Sequence, residues 1–313
     1  APEDADFAIY EMGTGAPGDI AYLTAIAQPD VGLVNNVAPA HLERMGSLLE
    51  IANTKAAVYD DLRNDGIAVI NADDAFAPYF MERAARHRVL RFGLDHGAEV
   101  SARDIALDAE GARFVLTMPS GEADVTLAMP GRHNVRNALA AAAIGHALGM
   151  RADAVAAGLS AARPVKGRQL AHRLRSGAVL IDDSYNANPG SLAAAIDTLA
   201  SSGDEAWLVL GDMRELGADE VALHAQVGAR AKAAGIARLY ALGALSAAAS
   251  NAFGEGSRAF VSHAELADAL SAELHAGVRV LVKGSRGSAM DRIVAALLAR
   301  DAENDGRGDA DAA

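Results

Sequence analysis

The densest group of polar side chains lies in the stretch DDSYNANP, where six of the seven residues from Asp182 to Asn188 are polar. The stretch follows the apolar run AVLI and ends with Pro189, a residue type that commonly opens helices. A turn with an N-cap explains one asparagine but not the other polar groups. Ligands of open α/β sheets bind at the carboxyl ends of strands, so the stretch predicts a binding site.

Two later strand ends carry further polar side chains. VLGD ends on Asp212, and VLVKGSR places Lys283, Ser285 and Arg286 at the end of an apolar run. In a doubly wound sheet these loops lie at the same edge as the DDSYNANP stretch. Lys283 and Arg286 are either ordinary surface charges or binding groups for an anion, and their place at this edge favours binding.

The first half of the chain offers a candidate metal site. Glu11 ends the apolar run FAIYEM, His41 follows the next apolar run, and Lys55 lies on the helical pattern after it. A carboxylate at a strand end suits magnesium, which prefers oxygen ligands, so spacing alone gives His41 no role in binding that ion. Lys55 could serve only after losing its charge by burial or becoming a carbamate. Alone, His41 and Lys55 are typical of surface side chains; together at one edge, the three residues favour a site.

Two asparagines near the start of a predicted helix form another candidate site. Asn134 and Asn137 are three residues apart and therefore lie on one helix face. The positively polarised end of a helix suits a nucleotide base or a phosphate. The alternative for Asn134 is an N-cap, a position that asparagine often fills, and spacing does not decide between the two.

Composition excludes several classes of protein. The 313 residues carry 28 basic and 41 acidic side chains, a formal charge of −13, which argues against a nucleic-acid surface. The chain has no cysteine, so disulfides, thiolate zinc sites and a cysteine nucleophile are excluded. No run of about 18 apolar residues predicts a membrane span. We therefore expect a cytoplasmic protein without membrane insertion.

Short apolar runs alternate with helical patterns in the first part of the chain, which is the rhythm of a parallel sheet. The predicted strands are DFAIYEM, DVGLVNNV and GIAVINAD, with LLEIANTKAAVYDDL as a crossover helix. The alternating stretch GARFVLTMPSGEADVTLAMPG predicts an antiparallel hairpin that turns at PSGE. A helix is expected over HNVRNALAAAAIGHALG, beginning near His133 or Asn134 and stopping at Gly149, and a shorter one over ADAVAAGLSAA.

The same rhythm restarts in the second half and predicts a five-stranded, mostly parallel sheet with helices on both faces. The predicted strands are AVLIDD, AWLVLGD, RLYALG, SRAFV and VRVLVKG. The predicted helices are SLAAAIDTLASS, ALHAQVGARAKAAG, HAELADALSAEL and SAMDRIVAALLAR. We place a domain boundary in RPVKGR, giving domains over residues 1–165 and 166–302, and expect the acidic tail 303–313 to be disordered.

Taken in order, the motifs resemble those of the Mur ligases. The matching motifs are E-M-G, N-N-x-x-x-x-H-L-E, A-x-x-K, P-G-R-H-N-x-x-N-A-L-A-A-A, G-R, D-D-S-Y-N-A-N-P-x-S, G-D-M-x-E-L-G and K-G-S-R. The resemblance extends over nearly the whole chain. It implies an α/β fold with a truncated central ATP-binding domain, made of a mostly parallel sheet and an antiparallel hairpin. A Rossmann-like C-terminal α/β domain is expected to follow.

The resemblance also implies an activity that needs ATP and magnesium. In Mur ligases ATP phosphorylates a carboxylate, an amino group attacks the acyl phosphate, and an amide, ADP and phosphate result. GDMRELG and DDSYNANP resemble the members that add D-Ala-D-Ala to UDP-N-acetylmuramoyl-tripeptide in peptidoglycan synthesis. These two substrates are the expected partners, and a monomer is the expected oligomeric state.

The resemblance assigns roles to particular residues. Glu11 is expected to bind the magnesium that bridges the ATP phosphates, while His41 and a carbamylated Lys55 hold a second magnesium near the acyl phosphate. The residues expected at the nucleotide are Asn134, Asn137, Arg168, Asp183, Tyr185 and Asn188. The residues expected toward the peptide and the incoming dipeptide are Lys283, Ser285 and Arg286. The residues expected to take part in catalysis are His41, Lys55 and Arg168.

One family motif is not found in the sequence. Mur ligases carry a G-T-x-G-K-T/S phosphate loop before the E-M-G strand, but none of the four lysines here follows a glycine. We therefore expect the 313 residues by themselves to be inactive, with an unpaired strand edge in the first domain. The alternatives are a non-catalytic nucleotide-binding or scaffold fragment, and a folylpolyglutamate synthetase-like ligase with a glutamate acceptor.

Overall fold

The structure is a computed structural model that describes residues 4–38 and 45–303. The chain forms two compact units, and each unit is made of three separate segments of the chain. The first unit comprises Ala1–Arg103, Leu116–Ala123 and Arg136–Ala156, and the second comprises Asp104–Val115, Asp124–Val135 and Ala157–Ala313. The unit boundaries therefore pass through the hairpin and the helix that follows it, whereas the predicted domains were continuous segments.

A parallel sheet with its helices forms the first unit. Its elements are α1 (Asp19–Ala27), β1 (Val31–Val34), α2 (Leu48–Ala56), β2 (Ile67–Asn71), α3 (Ala77–Arg83) and β3 (Arg88–Phe92). The strand order is β1-β2-β3, and both pairs are parallel. Parallel neighbours need a crossover connection, and α2 provides the one between β1 and β2. The predicted βαβ arrangement is confirmed here.

The hydroxyl of Tyr59 joins two strands in the core of this unit. Tyr59 lies in the single 3-10 turn after α2 and is fully buried. Its hydroxyl accepts a hydrogen bond from the Val34 N–H at 3.2 Å and donates one to the Val69 carbonyl at 3.0 Å. Burial raises the pKa of this phenol well above its usual value, so the group stays a neutral donor.

The predicted strand FAIYEM is wrong. The structure assigns no strand to this segment, and Phe7, Ile9 and Tyr10 are 62%, 86% and 61% exposed. An apolar run becomes a strand only when a neighbouring strand completes its hydrogen bonds. Among the described strands, β1 pairs only with β2, so one edge of this sheet is open, as the sequence predicted.

The middle of the chain forms a separate sheet and two helices. The strands β4 (Ser101–Leu107), β5 (Ala112–Met118) and β6 (Gly121–Leu127) follow one another in the order β4-β5-β6. Pro119 and Ser120 connect β5 to β6, which confirms the predicted hairpin. The helices are α4 (Arg132–Ala147) and α5 (Ala152–Ala161). Because α4 begins at Arg132, Asn134 lies inside the helix and is not its N-cap.

The second unit is built around a six-stranded sheet. Its strands are β7 (Leu170–Arg173), β8 (Val179–Asp183), β9 (Glu205–Gly211), β10 (Arg238–Leu242), β11 (Ser257–Phe260) and β12 (Val278–Lys283). The order is β11-β10-β9-β12-β8-β7, parallel throughout except for β7. The five predicted strands are confirmed, but the predicted strand number is wrong. LAHR is short and gives no clear apolar alternation, so the sequence did not indicate β7.

Helices cover both faces of this sheet, as predicted. They are α6 (Pro189–Ala200), α7 (Glu220–Ala233), α8 (Ser246–Phe253), α9 (His263–Glu273) and α10 (Asp291–Glu303). Alternate residues of β9 enter two separate cores: Leu208 packs with α6, α7 and α8, while Trp207 packs with α9 and α10. Helix α8 was not predicted. Residue 303 ends α10 and is therefore not part of a disordered tail, and 304–313 lie outside the described residues.

Candidate functional site

The ends of β8 and β12 meet at the carboxyl edge of the six-stranded sheet. The register places Lys283, the last residue of β12, directly beside Asp183, the last residue of β8. The Lys283 ammonium lies 2.7 Å from Asp183 Oδ2 and also donates to the Asn186 carbonyl at 2.9 Å. Lys283 is 4% exposed and Asp183 is 8% exposed. The two residues that the sequence assigned to different ligands therefore form one buried ion pair.

The charge of Asp183 is set by opposing effects. Burial raises the pKa of this carboxyl, whereas Lys283, the Gln169 backbone N–H and Arg168 lower it. The net pKa lies above the usual value for an aspartate. Lys283 is therefore the main group that favours the ionised form of a carboxylate held in a poorly solvated place.

Asp182, one residue earlier, is used inside the fold. Its Oδ2 accepts from the Gly167 N–H at 2.9 Å, and its Oδ1 accepts from the Ser184 N–H and hydroxyl at 3.2 and 2.5 Å. Gly167 has φ +78°, and its carbonyl accepts from the Tyr185 N–H at 3.1 Å. Asp182 and Gly167 therefore join the loop before β7 to the turn after β8.

An aromatic ring and two cations lie at the open side of this turn. Tyr185 is 44% exposed. The guanidinium carbon of Arg168 lies 4.4 Å from the ring centroid, and that of Arg286 lies 5.6 Å from it. Neither arginine forms a salt bridge with a described residue. Two exposed cations held at one ring without a direct salt bridge suit an anionic ligand.

Other predicted side chains at this edge serve the structure. Asn188 caps α6: its Oδ1 accepts from the Ser191 N–H at 2.8 Å, and the Ser191 hydroxyl accepts from the Asn188 N–H at 3.1 Å. Ser285 is 6% exposed, and its hydroxyl accepts from the Arg214 N–H at 2.7 Å. The Ser285 N–H donates to the Asp212 carbonyl at 3.1 Å. These hydrogen bonds hold neighbouring loops in place.

Sequence reasoning missed two residues that position Asp212. The Ser246 N–H and hydroxyl both donate to Asp212 Oδ1 at 2.8 Å. Gly243 has φ +116°, and a β-carbon at that position would lie 2.4 Å from the same oxygen. Only glycine leaves room for the carboxylate here. Gly243 ends a predicted strand and Ser246 follows it, but neither gave a signal of its own in the sequence.

Gln169 is a third residue that the sequence did not indicate. The Asn134 side-chain amide donates to the Pro130 carbonyl at 2.8 Å and to Gln169 Oε1 at 2.9 Å. Gln169 Nε2 lies 3.0 Å from His133 Nε2. Gln169 has φ +57°, a conformation that is uncommon outside glycine. Because its backbone N–H also lowers the pKa of Asp183, Gln169 connects Asn134 to the β8 edge within the second unit.

Asn137, the second residue of the predicted asparagine pair, has its hydrogen-bond partner in the first unit. Asn137 Oδ1 accepts from the Asn35 side chain at 3.0 Å, and the Asn35 carbonyl accepts from the Asn71 side chain at 2.9 Å. Asn35 follows β1 and Asn71 ends β2. The helix α4 thus places Asn134 in the second unit and Asn137 in the first.

Only part of the predicted metal site can be described. Glu11 is exposed in a segment that forms neither a helix nor a strand, and His41 lies outside the described residues. Lys55 is half-buried on α2; burial lowers its pKa, and the Asp74 carboxylate opposes that shift. Within residues 4–38 and 45–303, no group of three histidines or carboxylates could hold a metal ion. The described residues alone do not form a magnesium ligand set.

A cleft of about 340 Å³ lies beside β2 in the first unit. Its charged side chains already have partners. Asp73 accepts from the Leu94 N–H at 2.7 Å and lies 3.2 Å from His96 Nδ1, while Arg91 pairs with Glu99 at 2.6 Å. The cleft therefore offers no unpaired charge that points to a ligand. No helix in the described part of the chain is long and apolar enough to cross a membrane.

Two family models match most of the chain. The model described as Mur ligase middle domain matches residues 1–145, and the model described as Mur ligase, glutamate ligase domain matches residues 167–286. The UDP-N-acetylmuramoyl-tripeptide–D-alanyl-D-alanine ligase of Escherichia coli (strain K12) is 41% identical over 298 residues, which cover 93% of this chain and 65% of the relative. The chain thus spans less than two thirds of that relative's length.

Solved structures give the same picture. A crystal structure of MurF from Acinetobacter baumannii matches with a TM-score of 0.85 and 31% identity, covering 91% of this chain and 63% of that one. MurF ligase from Thermotoga maritima in complex with ADP matches with a TM-score of 0.83 over 94% of this chain and 67% of that one. Its 24% identity makes it a likeness of fold alone. The expected α/β fold is confirmed by these matches.

Proposed function

The chain belongs to the Mur ligase family, and we propose that it is the central and C-terminal part of an ATP-dependent ligase. The ligase adds D-Ala-D-Ala to UDP-N-acetylmuramoyl-tripeptide in peptidoglycan synthesis. The observation that carries the proposal is the group of Arg168, Asp183 and Tyr185 at the carboxyl edge of the second unit's sheet. Together with Arg286, this group places two cations beside a carboxylate. It lies at the sheet edge where such folds bind ligands.

The reaction transfers the terminal phosphoryl group of ATP to the carboxylate of the peptide. ADP leaves, and the amino group of the dipeptide attacks the acyl phosphate carbon, loses a proton and expels phosphate as the amide forms. Charge neutralisation and positioning are what such a reaction needs from a protein. Arg168 and Arg286 supply positive charge, and Asp183 can accept a hydrogen bond from a ligand hydroxyl. Within the second unit, Asn134 is the residue that the family resemblance assigns to the base.

We also propose, from the family resemblance, that two magnesium ions bind at Glu11, His41 and Lys55. Support comes from Lys55, whose pKa is lowered by burial. A larger neutral fraction lets the amine add to carbon dioxide, forming a carbamate and releasing one proton. A carbon-13 NMR signal from labelled bicarbonate that vanishes in Lys55→Arg is expected; the same signal in both proteins would contradict carbamylation at Lys55.

Phosphate release by the full-length gene product tests the activity. We expect release only when ATP, the nucleotide-linked tripeptide and D-Ala-D-Ala are all present. Release that continues without D-Ala-D-Ala would contradict the proposal, and release with a glutamate acceptor would support the folylpolyglutamate synthetase-like alternative. A protein that binds nucleotide but releases no phosphate would be the non-catalytic alternative. A cytoplasmic location remains our expectation, because ATP and a uridine nucleotide are the proposed substrates. A monomer remains the expected oligomeric state.

A further inference from the structure

Lys283 is buried and fully committed to one turn. All six residues of β12 are buried, and the exposed fraction of the Lys283 side chain is only 5%. Its ammonium donates to Asp183 Oδ2 and to the Asn186 carbonyl, at the two ends of the turn after β8. A buried ammonium with two acceptors has little freedom to reach a ligand outside the sheet.

Arg286, three residues later, differs from Lys283 in each of these respects. It is exposed, it forms no salt bridge with a described residue, and its guanidinium lies at the ring of Tyr185. The KGSR motif therefore contains one cation that faces outward and one that faces inward. Only Arg286 is placed to meet an anion directly.

The turn that Lys283 holds carries Tyr185 at its centre. Both ends of the turn are fixed by the same ammonium, and the Tyr185 N–H is fixed by the Gly167 carbonyl. The ring between these anchors is the surface on which Arg168 and Arg286 lie. The position of Lys283 thus decides where the exposed cations stand.

We propose that Lys283 is a positioning residue of the nucleotide site, acting through Asp183 and the turn to Asn186 without touching a ligand. This inference rests on the proposed function, which supplies the nucleotide. It reassigns Lys283 from the substrate-binding role that the motif suggested. The role of a counter-charge follows from the surroundings of Asp183: Lys283 on β12, Arg168 before β7, and Asp182 on its own strand.

A double-mutant cycle separates a positioning role from direct binding. Titration of the 313-residue chain with a magnesium complex of a non-hydrolysable ATP analogue measures affinity for Lys283→Met, Asp183→Asn and the double variant. Because Lys283 acts through Asp183 and the turn, each single change should weaken binding by about tenfold, and the double variant should lose clearly less than the two single losses combined. Fully additive losses would mean that the two side chains act independently and would overturn the proposal. Lys232→Met, an exposed lysine on α7, is the matched control.

The pH dependence of the same titration gives a readout that a merely structural role would not move. Without Lys283, burial keeps the Asp183 carboxyl protonated to higher pH, so it donates where it should accept. Affinity of Lys283→Met should therefore rise more steeply between pH 6 and pH 8 than that of the unchanged protein. A flat profile in both proteins would contradict the proposed counter-charge.

Hydrogen exchange tests the turn without any ligand. The amides of Ser184, Tyr185, Ala187 and Asn188 all donate within the described structure. Peptides covering 184–188 should exchange faster in Lys283→Met than in Lys232→Met. Equal exchange would overturn the positioning role even if no nucleotide binds. Faster exchange without nucleotide binding would leave Lys283 as the anchor of the turn and count only against the proposed function. The double variant, which leaves no lone buried charge, keeps the comparison possible if Lys283→Met does not fold.

Discussion

Lys55 and Lys283 show how differently the two units treat a lysine removed from water. In the second unit, a carboxylate on the neighbouring strand lies 2.7 Å from the Lys283 ammonium. In the first unit, Lys55 forms no salt bridge with a described residue, and burial lowers its pKa against a weaker opposing effect of Asp74. The positive charge of Lys283 is balanced by a carboxylate, whereas burial favours the uncharged form of Lys55.

The two regions therefore differ in how far their polar groups are paired with one another. At the edge formed by β8 and β12, the polar groups are paired with one another. This pairing fixes the turn whose Tyr185 ring contacts the exposed Arg168 and Arg286. Lys55 itself has no such ion-pair partner among the described residues. This lysine suits a chemical change or an outside partner.

Lys283→Met should cause the largest loss, because it leaves the Asp183 carboxylate buried without its partner. We expect the free energy of unfolding to fall by about 3 kcal/mol, measured by urea denaturation at neutral pH. The control Lys232→Met should change it by no more than about 1 kcal/mol, since that exposed side chain only donates to the Glu255 carbonyl and lies over the Phe253 ring. Equal stability of the two variants would end the contrast between the lysines.

The loss in Lys283→Met should depend on pH with a definite sign. The folded-state pKa of Asp183 is raised, so the folded state binds this proton more tightly than the unfolded chain does. Stability from this group is therefore present below the unfolded pKa and is lost as pH rises through the folded pKa. Because Lys283→Met raises the folded pKa further, its deficit should be larger at pH 8 than at pH 5. A deficit that shrinks on raising the pH would contradict this.

Arg168→Ala should weaken nucleotide binding without affecting the fold. The guanidinium is exposed at the Tyr185 ring, so we expect about a tenfold loss of affinity for the ATP analogue. Thermal unfolding should stay nearly unchanged. Arg163→Ala, in the same loop, is the matched control, since that arginine donates only to the backbone of Ser160 and Ala162. An equal loss of affinity in both variants would remove Arg168 from the site.

Asn188→Ala should cost stability and spare binding. Its side chain completes the capping box of α6, and loss of such a cap costs about 1 kcal/mol. Ser191→Ala removes the reciprocal hydrogen bond and should act in the same direction. Urea denaturation and analogue titration check the two expectations together. A fall in affinity with unchanged stability would return Asn188 to the ligand-binding role that the sequence suggested.

Lys55→Met should have the smallest effect and the opposite sign. Since burial penalises the charged ammonium, its removal should raise the free energy of unfolding at pH 7 by less than about 1 kcal/mol. Below its lowered pKa, Lys55 is charged in both folded and unfolded states. As pH rises from that value to the usual lysine pKa, the unfolded chain binds more protons and the wild type gains stability. Lys55→Met should lack this gain in stability, as measured by denaturation curves between pH 7 and pH 10. An equal gain in both proteins would contradict a lowered pKa of Lys55.

Much of the second unit follows from its sequence, and the reason is physical. AWLVLGD and VRVLVKG are short, continuous apolar runs bounded by turn residues, the pattern of strands buried on both faces. The edge on which Asp183 and Lys283 lie followed from the βαβ rhythm. Their pairing did not, because strand order is a property of the whole sheet. The sequence does not show that β12 lies beside β8, so it gave no reason to expect Lys283 to be buried and Arg286 to be exposed.

The first unit was predicted less well for a related reason. FAIYEM has the composition of a strand, but composition cannot supply the neighbour that a strand requires. Gln169 and Gly243 act through positive φ angles and close approach, which leave no pattern in the sequence. Most residues that act by charge at strand ends were found, whereas Gly243, which acts by backbone shape, and Ser246 and Gln169, which hold other polar groups in place, were missed.

The most direct test of the account is a calorimetric titration of the 313-residue chain with the magnesium complex of a non-hydrolysable ATP analogue. The account predicts one binding event in the unchanged protein, and its loss when Asn134 is changed to Ala together with Asp183→Asn. No binding by the unchanged chain, or equal binding by the double variant, would contradict the claim that the β8 edge holds a nucleotide.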